Sequence, residues 1–202
     1  APEAAVRPQV QVEESGPVMA VVRVAARLDD RFESVIRLYA YAGSSYVRIQ
    51  ETLIHGPTGQ GRSAVRPHAV AMASHSLRLP IAVRPDQAVA TVGVGEALPS
   101  PAALEQDLRH ECAKNNVGPD GLSKAFGFRL FTDGAVGGQT GAPGGSSLHV
   151  GRRAPGWADL SDRRWGVTAV VRDFWQTFPK RLVVAPSGLR LEHWADGARL
   201  EP

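Results

Sequence analysis

The chain has 202 residues, 43% of them hydrophobic and 21% charged. That is enough for one large domain or two small ones, and it argues against wholesale disorder. No run of about 18 apolar residues is present, so a transmembrane helix is excluded. The net charge of +3 comes from 23 cations and 20 anions. Only Lys114, Lys124 and Lys180 are lysines, and the arginines are scattered rather than gathered on one segment. The clustered basic face of a nucleic-acid binder is therefore missing. A single cysteine, Cys112, rules out an intrachain disulfide and a multi-thiolate zinc site.

Twenty-one glycines and fifteen prolines leave little room for helices. Between them the sequence alternates. Val18, Ala20, Val22, Val24, Ala26 and Leu28 share one parity and predict a strand with one buried face. Asp29-Asp30-Arg31 turns the chain. Ile36, Leu38 and Ala40 line one face of the next strand, and Arg37, Tyr39 and Tyr41 the other. After the turn signal Ala42-Gly43-Ser44-Ser45, Val47, Ile49 and Leu53 alternate with Tyr46, Arg48, Gln50 and Thr52, which completes an antiparallel hairpin.

His55 to Pro67 is Gly- and Pro-rich and reads as a loop. A strand is predicted over Val70–Leu79 with Pro80 ending it, and a short one over 88–94. Pro101–Cys112 alone has helical spacing, through Ala102, Leu104, Leu108 and Cys112, and reads as one short helix or a loop with a helical turn. Phe126–Phe131 is strand-like, and 133–147 reads as a long Gly-rich loop. Trp165–Arg172 predicts a strand with Val167, Ala169 and Val171 on one face. Phe174–Lys180 breaks the alternation with aromatics. Leu182–Val184 and Leu189–His193 form a closing hairpin. The expectation is all-β: about nine strands in an antiparallel β-sandwich, a single domain over 1–202 with its core at about 10–194.

No metal-ligand spacing, phosphate loop, dinucleotide fingerprint or G-x-S-x-G motif is present, so no cofactor and no metal are expected. The six histidines read as structural or surface residues. Two constellations stand out. Arg37, Tyr39, Tyr41, Tyr46 and Arg48 share the polar face of the hairpin. Flat tyrosine rings beside a guanidinium fork suit an acidic carbohydrate. The same residues would equally serve as a sheet face covered by a neighbour, with arginine stems on rings. Trp165–Lys180 carries Arg172-Asp173 into Phe174, Trp175 and Phe178. That segment is either a sandwich corner with an aromatic core, or a sugar platform in which Trp175 stacks and Arg172 meets a carboxylate.

The stretch R-R-A-P-G-W-A-D-L-S-D-R-R-W-G-V-T-A-V-V-R-D-F-W-Q-T-F-P-K-R-L (152–182) resembles the central sandwich region of the exo-rhamnogalacturonan lyase-like family. Its most specific piece is R-D-F-W-Q-x-x-P-K, Arg172 to Lys180. R-L-Y-A-Y-A-G-S-S-Y-V-R-I-Q (37–50) is similar to a hairpin of the same sandwich. Ala69–Val83, ending S-L-R-L-P-I-A-V, and G-L-R-L-E-H-W (188–194) resemble its later strands. The resemblance implies a middle piece of a larger, often exported protein, secreted or periplasmic, flanked by a β-barrel-like domain and an α/α toroid. It implies action on an acidic polysaccharide by β-elimination, with no nucleic-acid or membrane partner, and little activity in the isolated chain. Such chemistry needs a cation to neutralise the uronate carboxylate, a base for the C5 proton and an acid for the leaving oxygen. The candidates are His68 and His75 as base and Tyr46 or Tyr41 as acid. Arg48, Arg66 and Arg172 would take the carboxylate, and Tyr41 and Trp175 would contact the sugar. A free-standing carbohydrate-binding or structural sandwich is the alternative. A mutarotase-type epimerase would need a His–Glu arrangement that His55–Glu51 and His193–Glu192 match poorly.

Overall fold

Alternating β-branched segments separated by Gly and Pro turns pair here as antiparallel strands throughout. A computed structural model of the chain describes residues 7–29, 32–55, 74–93, 97–98, 101–108, 126–132, 147–177 and 179–194. The chain divides into two compact units, Ala1–His68 and Ala69–Pro202.

The first unit is one four-stranded sheet in the order β1 (Gln9–Ser15), β2 (Met19–Arg27), β3 (Phe32–Tyr41), β4 (Val47–His55). Every neighbour in sequence is a neighbour in space, because short turns join the strands. Gly43 supplies the left-handed φ of 72° that the β3–β4 turn requires. The predicted hairpin register holds, with Tyr39 opposite Arg48 and Leu38 opposite Ile49. The predicted parity of burial on β2 does not hold fully. Val18 and Leu28 lie outside the strand and are exposed, while the buried hydrophobic residues Val21, Ala25 and Val35 sit on the face of Arg37 and Tyr39. The physical reason is stem length. Val21 lies opposite Tyr39, and Arg23 opposite Arg37, so short apolar residues on that face sink between long side chains.

The second unit is a β-sandwich. One sheet has six strands in the order β10 (Ser147–Gly151), β9 (Phe126–Thr132), β8 (Ala102–Leu108), β13 (Lys180–Ala185), β14 (Gly188–Trp194), β5 (His75–Pro80). The other has four, in the order β12 (Gly166–Val170), β11 (Trp157–Ser161), β6 (Val89–Val92), β7 (Ala97–Leu98). Their facing sides interdigitate in one core. Leu104, Leu130, Leu182, Val184 and Leu189 come from the larger sheet; Ala90, Val92, Ala158 and Leu160 come from the smaller. Val167, Ala169 and Val171 pack against this core as their alternation predicts.

Two devices fasten the sandwich. Gln106 is fully buried, and its amide donates to Gly127 O at 2.9 Å and Arg152 O at 3.1 Å while accepting from Ala154 N at 2.9 Å. It thereby pins the 152–154 crossover between the sheets. Asp162 accepts backbone N–H groups from Arg164 at 2.7 Å and Trp165 at 3.1 Å, and from Arg84 at 3.0 Å.

The all-β antiparallel sandwich is therefore observed. The predicted helix is not: 102–108 is strand β8, and no helix occurs among the described residues. Among the described residues there are fourteen strands, where about nine were expected. Of the predicted strand Val70–Leu79 the structure describes β5 from His75, and 133–146 lies outside the described residues.

Candidate functional site

On the first unit, the β3–β4 turn assembles a compact aromatic surface. Ser44 N donates to Tyr41 O at 3.2 Å, and Tyr46 N donates to the Ser44 hydroxyl at 3.1 Å. That geometry brings the Tyr41 and Tyr46 rings to a centroid separation of 6.3 Å with 18° between their planes. One register step away, the Arg48 guanidinium lies 5.4 Å from the Tyr39 ring centroid. The Tyr39 hydroxyl donates to Gln50 Oε1 at 3.4 Å. Tyr46 is 60% exposed.

The arginines of this face divide into two kinds. Arg37 is committed to Glu13 of β1 through a two-pronged pair, Nε to Oε2 at 2.7 Å and Nη2 to Oε1 at 3.0 Å. That hydrogen bonding holds the Glu13 carboxyl below its usual range and raises Arg37. Arg23 lies 3.8 Å from the same carboxylate and 3.9 Å from Glu33. Arg48, by contrast, forms no ion pair among the described residues. A flat ring pair, an exposed hydroxyl and a guanidinium without a counter-ion thus share one hairpin face.

On the second unit, His75 lies on the half-buried parity of β5 with Leu77 and Leu79. Its ring stacks on His193 of β14, with centroids 5.4 Å apart and 24° between planes. Lys180 Nζ stands 3.2 Å from His193 Nδ1. An ammonium can only donate, so in this contact Lys180 is the donor and the imidazole nitrogen the acceptor. Sequence reading did not group Lys180 with His193 and His75. A signal existed: the tight turn at Pro186-Ser187 sets Arg181 opposite Glu192, and one further step sets Lys180 beside His193.

The turn at 172–177 departs from expectation. Arg172 and Asp173 form a pair, Nε to Oδ2 at 3.4 Å, with side chains 87% and 52% exposed. They do not close a buried corner. Asp173 is a non-glycine residue at a φ of 52°, and Thr177 closes the turn onto it, N to O at 3.0 Å. Phe174 carries the burial, at 2% exposure, packed over Gly156. Trp175 is half-buried, with the Arg153 guanidinium 4.6 Å from its ring centroid. Arg153 was not singled out by sequence reading, because 22 positions separate it from Trp175.

Of the candidates read from sequence, Tyr41, Tyr46 and Arg48 come together on one sheet. His75 joins Lys180 and His193, and Trp175 joins Arg153. Tyr46 and His75 belong to different units. His68 and Arg66 lie outside the described residues, as do Phe178 and Cys112. Compared with protein-family models, with curated proteins and with solved structures, the chain matches none.

Proposed function

We propose that this chain is a saccharide-binding all-β segment of a polysaccharide lyase-like protein, recognising uronate-containing polymers such as rhamnogalacturonan. The observation that supports it best is the hairpin surface of Tyr41, Tyr46, Tyr39 and Arg48. The C–H faces of a pyranose pack on aromatic rings, and the tyrosine hydroxyls accept or donate to ring substituents. Arg48, which has no carboxylate partner among the described residues, would take the uronate carboxylate as a charge-assisted hydrogen-bonding fork. The resemblance of 37–50 and 152–182 to the exo-rhamnogalacturonan lyase-like sandwich supports the same ligand class.

A test is calorimetric titration of the whole chain with oligogalacturonate and with a neutral oligosaccharide of equal length. Binding is expected for the acidic ligand. Tyr46→Ala and Arg48→Ala should each weaken it by about tenfold, the size of one charge-assisted or stacking contact. Equal binding of the neutral ligand, or indifference to both substitutions, would refute the reading.

A lyase role is favoured by a separate observation, the Lys180–His193–His75 cluster. β-Elimination removes the C5 proton to a base. The electron pair becomes the C4–C5 double bond, and the C4–O bond breaks with a proton delivered to the leaving oxygen. An imidazole, His75, would be the base, and the Lys180 ammonium would neutralise the carboxylate that acidifies C5. The protein carrying this domain should then generate ultraviolet-absorbing unsaturated uronate from rhamnogalacturonan, and His75→Ala should abolish that product. Saccharide binding without such product assigns the chain to recognition alone.

A further inference from the structure

Arg78 of β5 and Arg190 of β14 stand directly opposite each other in antiparallel register. Leu79, Leu189 and Leu191 pack against the sandwich core. Alternation therefore turns both arginines to the outer face of the six-stranded sheet. Like charges placed opposite each other on one face repel, so a pair of this kind needs a reason.

Neighbouring carboxylates do not cancel the charge. Glu192 lies 2.9 Å from Arg190 Nη2 and 3.3 Å from Arg181 Nη1. Glu105 accepts from Arg129 Nη2 at 2.6 Å and from Arg181 Nε at 2.7 Å. Among the described side chains, the face thus sets four guanidinium groups, of Arg129, Arg181, Arg190 and Arg78, against two carboxylates, of Glu105 and Glu192. The surplus falls at its β14–β5 end. The Arg78 side chain makes no ion pair or hydrogen bond among the described residues, and it is exposed. Arg190 Nε is buried without a hydrogen-bond partner. An unsatisfied charged donor away from water is unfavourable, so Arg190 is not in its best-bonded arrangement.

We propose that Arg78 and Arg190 form an oxyanion site, binding the carboxylate or sulfate group of an acidic saccharide. The identity of the ligand rests on the acidic-saccharide reading above; the site itself rests on this arginine pair. Cross-strand Cβ atoms lie about 5 Å apart, which lets two guanidiniums converge on one anion. The anion would end their repulsion and draw the Arg190 guanidinium toward an acceptor.

The test combines stability and binding on the whole chain. Arg78→Gln removes one like charge, so the unliganded variant should melt at the same temperature as the wild type or higher. Oligogalacturonate and a sulfated oligosaccharide of equal length are titrated in parallel, and the arm that binds identifies the anion. Either ligand should raise the wild-type melting temperature, and Arg78→Gln should weaken binding by about tenfold, one charge-assisted contact. Backbone amide NMR should show shifts at β5 and β14 in the wild type. Undiminished binding by Arg78→Gln, or shifts confined to the β3–β4 hairpin, overturns this site and leaves the tyrosine surface standing. Binding lost in Arg78→Gln but intact in Tyr46→Ala and Arg48→Ala overturns the tyrosine surface instead. Absence of binding by both saccharides overturns both.

Discussion

Adjacent aromatics in the 172–177 turn should differ sharply in what they contribute. Phe174 is 2% exposed and belongs to the main core, a cluster drawn from both sheets. Replacing it with alanine removes the ring and leaves a cavity in a close-packed interior, which costs about 3–5 kcal/mol. The same ring holds the turn over Gly156, so Asp173 loses the packing that offsets its left-handed backbone. Trp175 is half-buried and touches Arg153 across 4.6 Å. Its truncation removes a cation–π contact and part of an aromatic burial, about 1–2 kcal/mol together. All four tryptophans (Trp157, Trp165, Trp175 and Trp194) fall in the second unit. Urea titration followed by tryptophan fluorescence therefore reports that unit alone. Phe174→Ala should shift the midpoint at least twice as far as Trp175→Ala. Equal shifts, or a larger one for Trp175→Ala, would refute the assignment of the core residue.

Gln106→Leu keeps the volume but strands Gly127 O, Arg152 O and Ala154 N in the interior. Each stranded group costs about 1–3 kcal/mol, so the loss in the same fluorescence titration should exceed that of a typical surface substitution several-fold. Gly156 has a φ of 70°, and an added Cβ would overlap the Phe174 Cβ and lie 3.0 Å from Val171 O. Gly156→Ala should therefore lower the thermal midpoint through both backbone strain and overpacking, about 2–4 kcal/mol in sum. The Asp162 carboxyl is held below its ordinary value, chiefly by the Arg84 N–H and next by the Arg164 N–H. A depressed folded value means stability is present above the unfolded carboxyl value of about 4 and is lost as pH falls through the folded one. The stability advantage of wild type over Asp162→Asn, measured by urea midpoint against pH, should hold near neutrality and shrink in acid. An advantage that grows in acid would contradict the hydrogen-bonding account.

The misread strand β8 shows where pattern reading loses its hold. A strand with one wet face alternates in exposure, and β5 and β12 do so. β8 is interior to a six-stranded sheet, and both of its sides are covered: Leu104 is at 0%, Ala103 at 0%, Glu105 at 7% and Gln106 at 0% exposure. A residue type such as Glu or Gln normally marks the solvent side. Here Glu105 is buried because Arg129 and Arg181 flank it from both neighbouring strands, and Gln106 because it ties a crossover. Polar residues recruited into the interior erased the period of two. The spacing of Ala102, Leu104 and Leu108 was then free to fit a helix. The composition break at 55–67 was more informative, since the division between the two units follows it at His68.

The same distinction separates the parts of the candidate sites that could be read from those that could not. Tyr39 with Arg48, and Lys180 with His193, are pairs across tight turns, so turn length alone sets their register. Arg78 meets Arg190 across 112 positions, and Glu105 meets Arg181 across 76. No local rule sets those registers. They follow from the order β8-β13-β14-β5, in which a late hairpin inserts between two earlier strands. A late hairpin that slots between earlier strands must match side chains already facing each other on two edges. Along the β13 side the match is complete, with Arg181 between Glu105 and Glu192. Along the β5 side it places arginine against arginine. Folding requirements alone would favour a carboxylate at position 78, where it would pair with Arg190 as Glu105 pairs with Arg181. That a cation stands there instead is the strongest reason to look for its partner in a ligand.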